Sequence, residues 1–210
     1  MLQISHFEKS YFNHLVLKID NIELPEGVFW IKGKNGSGKS TLLKSIAGIQ
    51  SFKGDISIDD IFLKKSDVAY RRLVNFADAE PLFPEFLTGV EMLTLFVKAK
   101  GATRAQASEL VSEMKMESYI HNPLNSYSSG MLKKLSILLA FIGQPKLILL
   151  DEPLNTLDLD SLQLLYKWIT EKFEKENISF LLSSHQPLDS GELPNLKQIE
   201  VIDKQITLNF

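Results

Sequence analysis

Eight residues near the start of the chain have the types and spacing needed to hold a phosphate group. Residues 33–40 read Gly-Lys-Asn-Gly-Ser-Gly-Lys-Ser. The glycines let the backbone turn tightly enough for successive N–H groups to face phosphate oxygens. Lys39 can then reach the β- and γ-phosphates, and the Ser40 hydroxyl can ligate Mg²⁺. The pattern therefore predicts a site for a nucleotide and its magnesium ion.

The residues on either side of this loop predict the elements that would position it. Residues 28–31 form a short apolar run typical of a buried strand, and residues 40–47 have the apolar spacing of a helix. The positive end of the helix dipole would add to the binding of phosphate. We expect the nucleotide to contact the loop and the residue that follows it: Gly33, Lys34, Asn35, Gly36, Ser37, Gly38, Lys39, Ser40 and Thr41.

A second apolar strand, predicted over residues 146–150, leads directly into two carboxylates. Asp151 and Glu152 follow it, and open α/β sheets bind ligands at the carboxyl ends of their strands. Asp151 can hold Mg²⁺, while Glu152 can accept a proton from a water molecule behind the γ-phosphate. An acidic pair after a strand is often only a solvated turn. The upstream phosphate loop favours the catalytic interpretation here.

The remaining pattern predicts one α/β domain. A mostly parallel sheet with helices on both faces is expected, preceded by an antiparallel pair at residues 2–7 and 15–22 and ending in a hairpin at 199–208. Amphipathic helices dominate the middle of the chain. We therefore predict a nucleotide-binding core over 1–87 and 146–210, with a helical subdomain inserted at 88–145.

Composition limits the binding partners and the cellular locations that are possible for the protein. The 210 residues are 44% hydrophobic and 23% charged, include no cysteine and carry a net charge of −3. That charge argues against a broad nucleic-acid surface. No apolar stretch approaches the roughly 20 residues that a membrane span needs, and the first ten residues lack the features of a secretion signal. We expect a cytoplasmic protein.

Three further motifs make the chain similar to a known family. They are residues 127–131 (Tyr-Ser-Ser-Gly-Met), 155–158 (Asn-Thr-Leu-Asp) and 183–185 (Ser-Ser-His). The first lies between the phosphate loop and the acidic pair, and the other two follow the acidic pair. In that order and spacing they resemble the nucleotide-binding subunit of ATP-binding cassette (ABC) proteins, over essentially the whole chain. The resemblance implies a P-loop NTPase fold that binds ATP and Mg²⁺ and hydrolyses ATP.

The resemblance also implies a site shared by two cassettes, in a homodimer or with a sister subunit. Ser128 and Gly130 of one cassette would close on the γ-phosphate held by the other, and Asp158 matches the family's inter-subunit aspartate. His185 matches the histidine that contacts the γ-phosphate. Tyr11 lies at the position of the aromatic residue that stacks on adenine, although aromatic residues in such a hairpin more often pack in the core.

Two departures from the family pattern affect these expectations. Ala79 stands where the family has a glutamine that touches Mg²⁺ and the attacking water, which predicts slower hydrolysis or weaker coupling of the metal geometry to the helical subdomain. Asp78 or Glu80 could replace the glutamine's contact through a water molecule. Ser129 and Met131 replace the family's glycine and glutamine, as in small exporter-type subunits of the ABC-2 kind.

Two pairs of side chains outside these motifs have other expected roles. Lys133 and Lys134 are interpreted as a solvated helix face rather than a nucleic-acid patch. Phe83 and Phe86 either line a cleft for a helix of a membrane subunit or pack between the subdomains.

The preferred function is the ATPase subunit of a membrane transporter, attached to the inner face of the cell membrane through a separately encoded permease subunit. One alternative is a soluble ABC ATPase of an assembly complex, resembling the cassette of iron–sulfur cluster assembly. Another is a nucleotide-gated binding module with little turnover, which Glu152 and His185 argue against.

Overall fold

Two β-sheets organise the protein, which we describe from a computed structural model covering residues 1–185, 188, 191–193 and 196–209. The strands are β1 (Leu2–Tyr11), β2 (His14–Leu24), β3 (Val28–Lys32), β4 (Lys53–Ile58), β5 (Ile61–Phe62), β6 (Val74–Ala77), β7 (Leu147–Asp151), β8 (Ser179–Ser183), β9 (Lys197–Ile202) and β10 (Gln205–Asn209). The helices are α1 (Lys39–Ile46), α2 (Asp67–Leu73), α3 (Gly89–Lys100), α4 (Arg104–Glu113), α5 (Ser129–Ala140) and α6 (Leu159–Glu176), with a short 3₁₀ helix at Leu124–Ser126.

The larger sheet brings the predicted motifs to one edge. Its strand order within the described residues is β10-β9-β3-β8-β7-β6, and only β10 runs antiparallel to its neighbour. Ile31 of β3 pairs with Ser183 of β8, and Ser183 pairs with Asp151 of β7. The phosphate loop and the acidic pair therefore leave the sheet side by side, as the predicted parallel sheet requires.

Alternating side chains of this sheet enter two separate cores. Leu147 and Leu149 of β7 pack with the apolar face of α1 and with the smaller sheet, whereas Ile148 and Leu150 face a core that includes α5 and α6. Because side chains of a strand alternate between its faces, helices must cover both. The predicted α/β class with helices on both faces is confirmed.

The smaller sheet is antiparallel, with the strand order β2-β1-β4-β5. The predicted pairing of β1 with β2 is confirmed, and both strands extend beyond their predicted ends to residues 11 and 14. A bulge between Lys9 and Ser10 interrupts the register near the turn. The N–H of Lys18 donates to the carbonyl of Lys204 over 2.8 Å, which joins the two sheets.

The middle of the chain is helical, as the pattern predicts, although its division at residues 88 and 145 remains a prediction. Helix α3 begins with a capping box in which Thr88 and Glu91 satisfy each other's backbone N–H groups. Helix α5 ends against β6, where the Asn75 amide donates to the carbonyls of Ala140 and Ile142. This side chain supplies partners for carbonyls that the end of a helix leaves unpaired.

Two phenylalanines that could serve as a docking cleft or as packing have different environments. Phe83 packs against the larger core, while Phe86 is 81% exposed and the neighbouring Leu82 is 95% exposed. Packing therefore accounts for Phe83 and not for Phe86. In the described part of the chain, no helix has both the length and the apolar character to cross a membrane.

Candidate nucleotide site

The predicted phosphate loop connects β3 to α1. Helix α1 begins at Lys39, and Gly38 precedes it with φ 109°, a conformation that favours glycine. A β-carbon at Gly38 would lie 3.2 Å from Val16 Cγ1, so the loop also passes close to β2. Among the residues that the structure describes, no side chain caps the start of α1. Its first N–H groups can therefore serve an anion.

Lys39 is the most deeply placed polar side chain of the loop. It is 6% exposed, and its ammonium donates to the carbonyls of Gly33 over 2.9 Å and Lys34 over 3.4 Å. Its Nζ also lies 3.9 Å from Glu152 Oε1. The ammonium therefore sits inside the curl of the loop and beside the second carboxylate of the acidic pair.

Asp151 and Ser40 form the other side of the site. Asp151 is 1% exposed, and its Oδ1 accepts from the Ser40 hydroxyl over 3.0 Å and from the Ser183 hydroxyl. Its buried Oδ2 has no hydrogen-bond partner within the described residues. Buried polar atoms are normally paired, and hard oxygen ligands suit Mg²⁺. The two residues therefore fit the metal role predicted for them.

Ser40 and Asp151 are the two residues predicted to hold such an ion. Among the described residues, no group of three or more His, Cys, Asp or Glu side chains could hold a metal. A magnesium ion at Ser40 and Asp151 needs further oxygen ligands, which phosphate and water normally supply in phosphate-transfer sites.

Glu152 contacts both other predicted catalytic residues. Its Oε2 lies 2.8 Å from His185 Nδ1 and 3.3 Å from the His185 backbone N–H, which donates to it, while Oε1 faces Lys39. Glu152 has φ 44°, which is uncommon for a residue other than glycine. The direct contact between Glu152 and His185 was not predicted, because nothing in the sequence pairs positions 33 residues apart.

Ser128 and Gly130 lie at the start of α5. The Ser128 hydroxyl caps the helix by accepting the Met131 N–H over 3.2 Å, and a β-carbon at Gly130 would lie 3.2 Å from the Thr156 carbonyl. Within the described part of the chain, neither residue hydrogen bonds to the loop at 33–40. One chain alone does not bring these two predicted groups together.

Asp158 caps the next helix. Its carboxylate accepts the Ser161 N–H over 2.8 Å and lies 2.7 Å from Lys134 Nζ. The bond from Lys134, helped by that from Ser161, lowers the pKa of Asp158 below its usual range. Asp158 therefore has partners within its own chain, and its predicted role between two subunits stays a prediction.

Several other residues predicted to contact the nucleotide are more exposed to solvent than Lys39 and Asp151. Tyr11 is 42% exposed, its hydroxyl donates to Gln50 Oε1 over 3.0 Å, and the Lys9 ammonium lies 4.7 Å from the ring centre. Core packing is therefore the wrong description for Tyr11, and stacking on adenine remains a prediction. Lys34 and Asn35 are exposed and Thr41 is half-buried.

The interpretation of Lys133 and Lys134 as a solvated face is wrong. Lys133 is 1% exposed, and its ammonium donates to the carbonyls of Asp78 (2.9 Å), Ala79 (3.3 Å) and Asp151 (2.8 Å). Burial lowers the pKa of Lys133 to about 8, against the attraction of nearby carboxylates. Lys134 pairs with Asp158. Adjacent helical residues point about 100° apart, so the two lysines reach different partners.

Asp78, next to Ala79, carries a carboxylate that has a partner on α1. Its Oδ2 lies 2.9 Å from the ammonium of Lys44. Lys44 is one helical turn beyond Ser40 on α1, and residues four apart lie on the same face. The segment after β6 is therefore attached to the helix that carries the phosphate loop.

Comparisons with known proteins identify relatives of this chain. A family model described as ABC transporter matches residues 17–155. The lantibiotic transport ATP-binding protein SrtF of Streptococcus pyogenes is 30% identical over 187 residues, which cover 88% of this chain and 80% of that protein. The uncharacterized ABC transporter ATP-binding protein YdbJ of Bacillus subtilis (strain 168) is 30% identical over 191 residues, which cover 88% of this chain and 61% of that protein.

Solved structures resemble the whole chain. The structure of an ATP binding subunit of an ABC transporter has a TM-score of 0.88 at 26% identity, covering 99% of this chain and 90% of that one. A dimeric ATP-binding cassette in a post-hydrolysis state, bound to ADP and Pi, has a TM-score of 0.85 at 22% identity and covers 100% of both chains. At that lower identity the likeness concerns the fold alone.

Proposed function

The chain belongs to the ABC transporter family, and from that premise we propose that it is the ATP-hydrolysing subunit of a membrane transporter. It drives translocation through a separately encoded membrane subunit. The observation that carries this proposal is the position of Glu152, whose carboxylate lies between Lys39 and His185 at the sheet edge that also holds Asp151. The residues proposed as base, phosphate-binding cation and metal-binding carboxylate thus lie at one edge of the sheet.

Binding of ATP would use the loop at 33–40. The N–H groups at the start of α1 and the Lys39 ammonium would bind the β- and γ-phosphates. Ser40 and Asp151 would hold Mg²⁺, which neutralises the charge that develops on the phosphates. Binding of phosphate would draw Lys39 away from the carbonyls and the carboxylate that it contacts in this structure.

Glu152 would then take a proton from the attacking water. A carboxylate can act as general base once it lies within hydrogen-bond reach of that water. His185 holds one oxygen of Glu152 over 2.8 Å, which leaves the other oxygen to the water when Lys39 turns to phosphate. His185 would also contact the γ-phosphate, as the family resemblance implies.

The functional unit would be a dimer closed by ATP. Ser128 and Gly130 begin a helix of 12 residues, and N–H groups at a helix N-terminus attract anions. Since these groups make no hydrogen bond to the loop at 33–40 within the described residues, a second cassette would place them on the γ-phosphate. Asp158, at the start of α6, would lie at the same interface.

The protein would associate with the membrane through its membrane subunit. Relatives of this chain are named as transport proteins, and we infer a peripheral position on the inner face of the membrane. Leu82 and Phe86, both largely exposed, are apolar side chains that would suit a helix of the membrane subunit. The transported substrate would be chosen by that subunit.

The catalytic proposal is tested with Glu152→Gln, which keeps the size of the side chain and removes the base. We expect ATP binding within about threefold of wild type, turnover lowered at least about 100-fold, and an ATP-dependent dimer that persists in light scattering. Glu174→Gln, the same change on an exposed part of α6, serves as the control. Turnover of Glu152→Gln at the control rate would refute the role of Glu152.

A further inference from the structure

Lys133 is a buried cation for which neither the family resemblance nor the proposed mechanism provides a role. It lies on α5, three residues after Gly130, and its three ammonium hydrogens meet three backbone carbonyls. Two of these carbonyls belong to the segment after β6, and the third belongs to Asp151. Removing such a cation leaves buried acceptors unpaired, which is costly. The side chain therefore connects three parts of the site.

The carbonyl of Asp151 is part of the peptide group that links the two catalytic carboxylates. Its oxygen accepts from Lys133 over 2.8 Å, while the N–H of the same peptide donates to the carbonyl and the hydroxyl of Ser183, each over 3.1 Å. A planar peptide that is held at both its oxygen and its N–H cannot rotate about its neighbouring bonds. The orientation of this peptide is thus fixed from α5 on one side and from β8 on the other.

This fixed peptide precedes the unusual backbone conformation of Glu152. At φ 44° the residue occupies a region that costs free energy for a side chain other than glycine, and such conformations persist only where the surroundings hold them. The conformation aims the carboxylate at Lys39 and His185. Release of the Asp151 carbonyl would let the backbone relax and would turn the carboxylate away.

We propose that Lys133 is a positioning residue that sets the Glu152 carboxylate for activation of water and couples movement of α5 to it. The inference rests on the proposed hydrolysis of ATP. Helix α5 carries Ser128 and Gly130 at its start, so their engagement by a second cassette would act through Lys133 on the peptide before Glu152. At its other end the helix is held to β6 by the Asn75 amide, so a displacement at its start would be felt first at Lys133.

The test compares Lys133→Met, which keeps the length of the side chain and removes its donors, with Lys133→Gln, which keeps an amide donor. Lys175→Met, on an exposed part of α6, is the control for loss of a lysine. For each protein we would measure kcat and KM for ATP, the affinity for a nonhydrolysable ATP analogue by calorimetry, and hydrogen exchange of the amides at 151–155 without nucleotide.

In Lys133→Met we expect kcat to fall at least about tenfold while the affinity for the analogue stays within about threefold, because an interaction used in the transition state is lost. Exchange should become faster at 151–155 and stay unchanged through α1 and α6. Lys133→Gln should recover part of the kcat that Lys133→Met loses. If Lys133→Met does not fold, Lys133→Gln should still show a kcat below that of wild type with unchanged affinity for the analogue.

Two results would overturn the inference. One is a kcat within about twofold of the Lys175→Met control, and the other is a parallel loss of kcat, binding and protection throughout α5, which general unfolding predicts. If the wild-type protein shows no turnover, the proposed function fails, and amide hydrogen exchange alone tests the role of Lys133. Faster exchange in Lys133→Met that is confined to 151–155 supports positioning by Lys133, and unchanged exchange there refutes it.

Discussion

Replacement of Asp158 by alanine should destabilise the protein by an amount that depends on pH. The carboxylate makes two contacts that alanine removes: the cap on the Ser161 N–H at 2.8 Å and the ion pair with Lys134 at 2.7 Å. Loss of an N-cap costs about 1 kcal/mol. An exposed ion pair adds about 0.5 kcal/mol. The free energy of unfolding should therefore fall by about 1.5 kcal/mol, and Tm by about 3–6 °C in a chain of this size.

Asparagine at the same position separates the two contacts. Asn is as good an N-cap as Asp, so Asp158→Asn should lose only the ion pair, about 0.5 kcal/mol. High salt should reduce this smaller difference further, since exposed charges are screened. The cap contribution, being local, should remain.

The sign of the pH dependence follows from the lowered pKa of Asp158. A carboxylate that is more acidic in the folded protein than in the unfolded chain stabilises the fold above the unfolded pKa, and this stabilisation is lost as the pH falls through the folded pKa. The difference between wild type and Asp158→Ala should be complete near neutral pH and shrink below about pH 4.

Urea unfolding at several pH values, followed by circular dichroism, measures these differences. Equal stability of wild type and Asp158→Ala near neutral pH would refute the cap. A difference that does not shrink in acid would refute the contribution of the charge.

Four other substitutions have expected outcomes. Tyr70→Phe should leave the free energy of unfolding unchanged or raise it by about 1 kcal/mol, because the buried Tyr70 hydroxyl has no hydrogen-bond partner among the described residues. Tyr127→Phe should lower it by about 1 kcal/mol, because it removes the bond to the Tyr119 carbonyl. Calorimetry measures both differences. His185→Ala should lower kcat by about 100-fold with little change in ATP affinity, measured by phosphate release. Burial lowers the pKa of Lys100 to about 8, so the unfolding free energy of wild type relative to Lys100→Met should rise between about pH 8 and 10.5, where the unfolded chain binds more protons.

Local sequence patterns correctly predict the elements that are determined by neighbouring residues in the chain. The phosphate loop between β3 and α1, the β1–β2 pair and the acidic pair after β7 all follow from short runs of apolar, glycine or acidic residues. Helix α2 was missed because its seven residues bury only Tyr70 and so show no apolar periodicity.

Contacts between distant segments could not be read in the same way. The partners of Lys133 are 18, 54 and 55 residues away, and no local rule distinguishes it from the adjacent Lys134. Both lysines have the same side chain, and only the packing of α5 against β6 and β7 decides which is buried. The contact of Glu152 with His185 likewise depends on β7 and β8 being neighbours in the sheet.

The most direct test of the proposed function is purification of the Glu152→Gln protein from gently solubilised native cells in the presence of Mg-ATP. Mass spectrometry then identifies and quantifies what remains bound, with Glu174→Gln prepared in parallel. We expect a polytopic membrane protein in fixed stoichiometry with this chain, enriched over the control. Recovery of only soluble partners, or of this chain alone, would contradict the role in a membrane transporter.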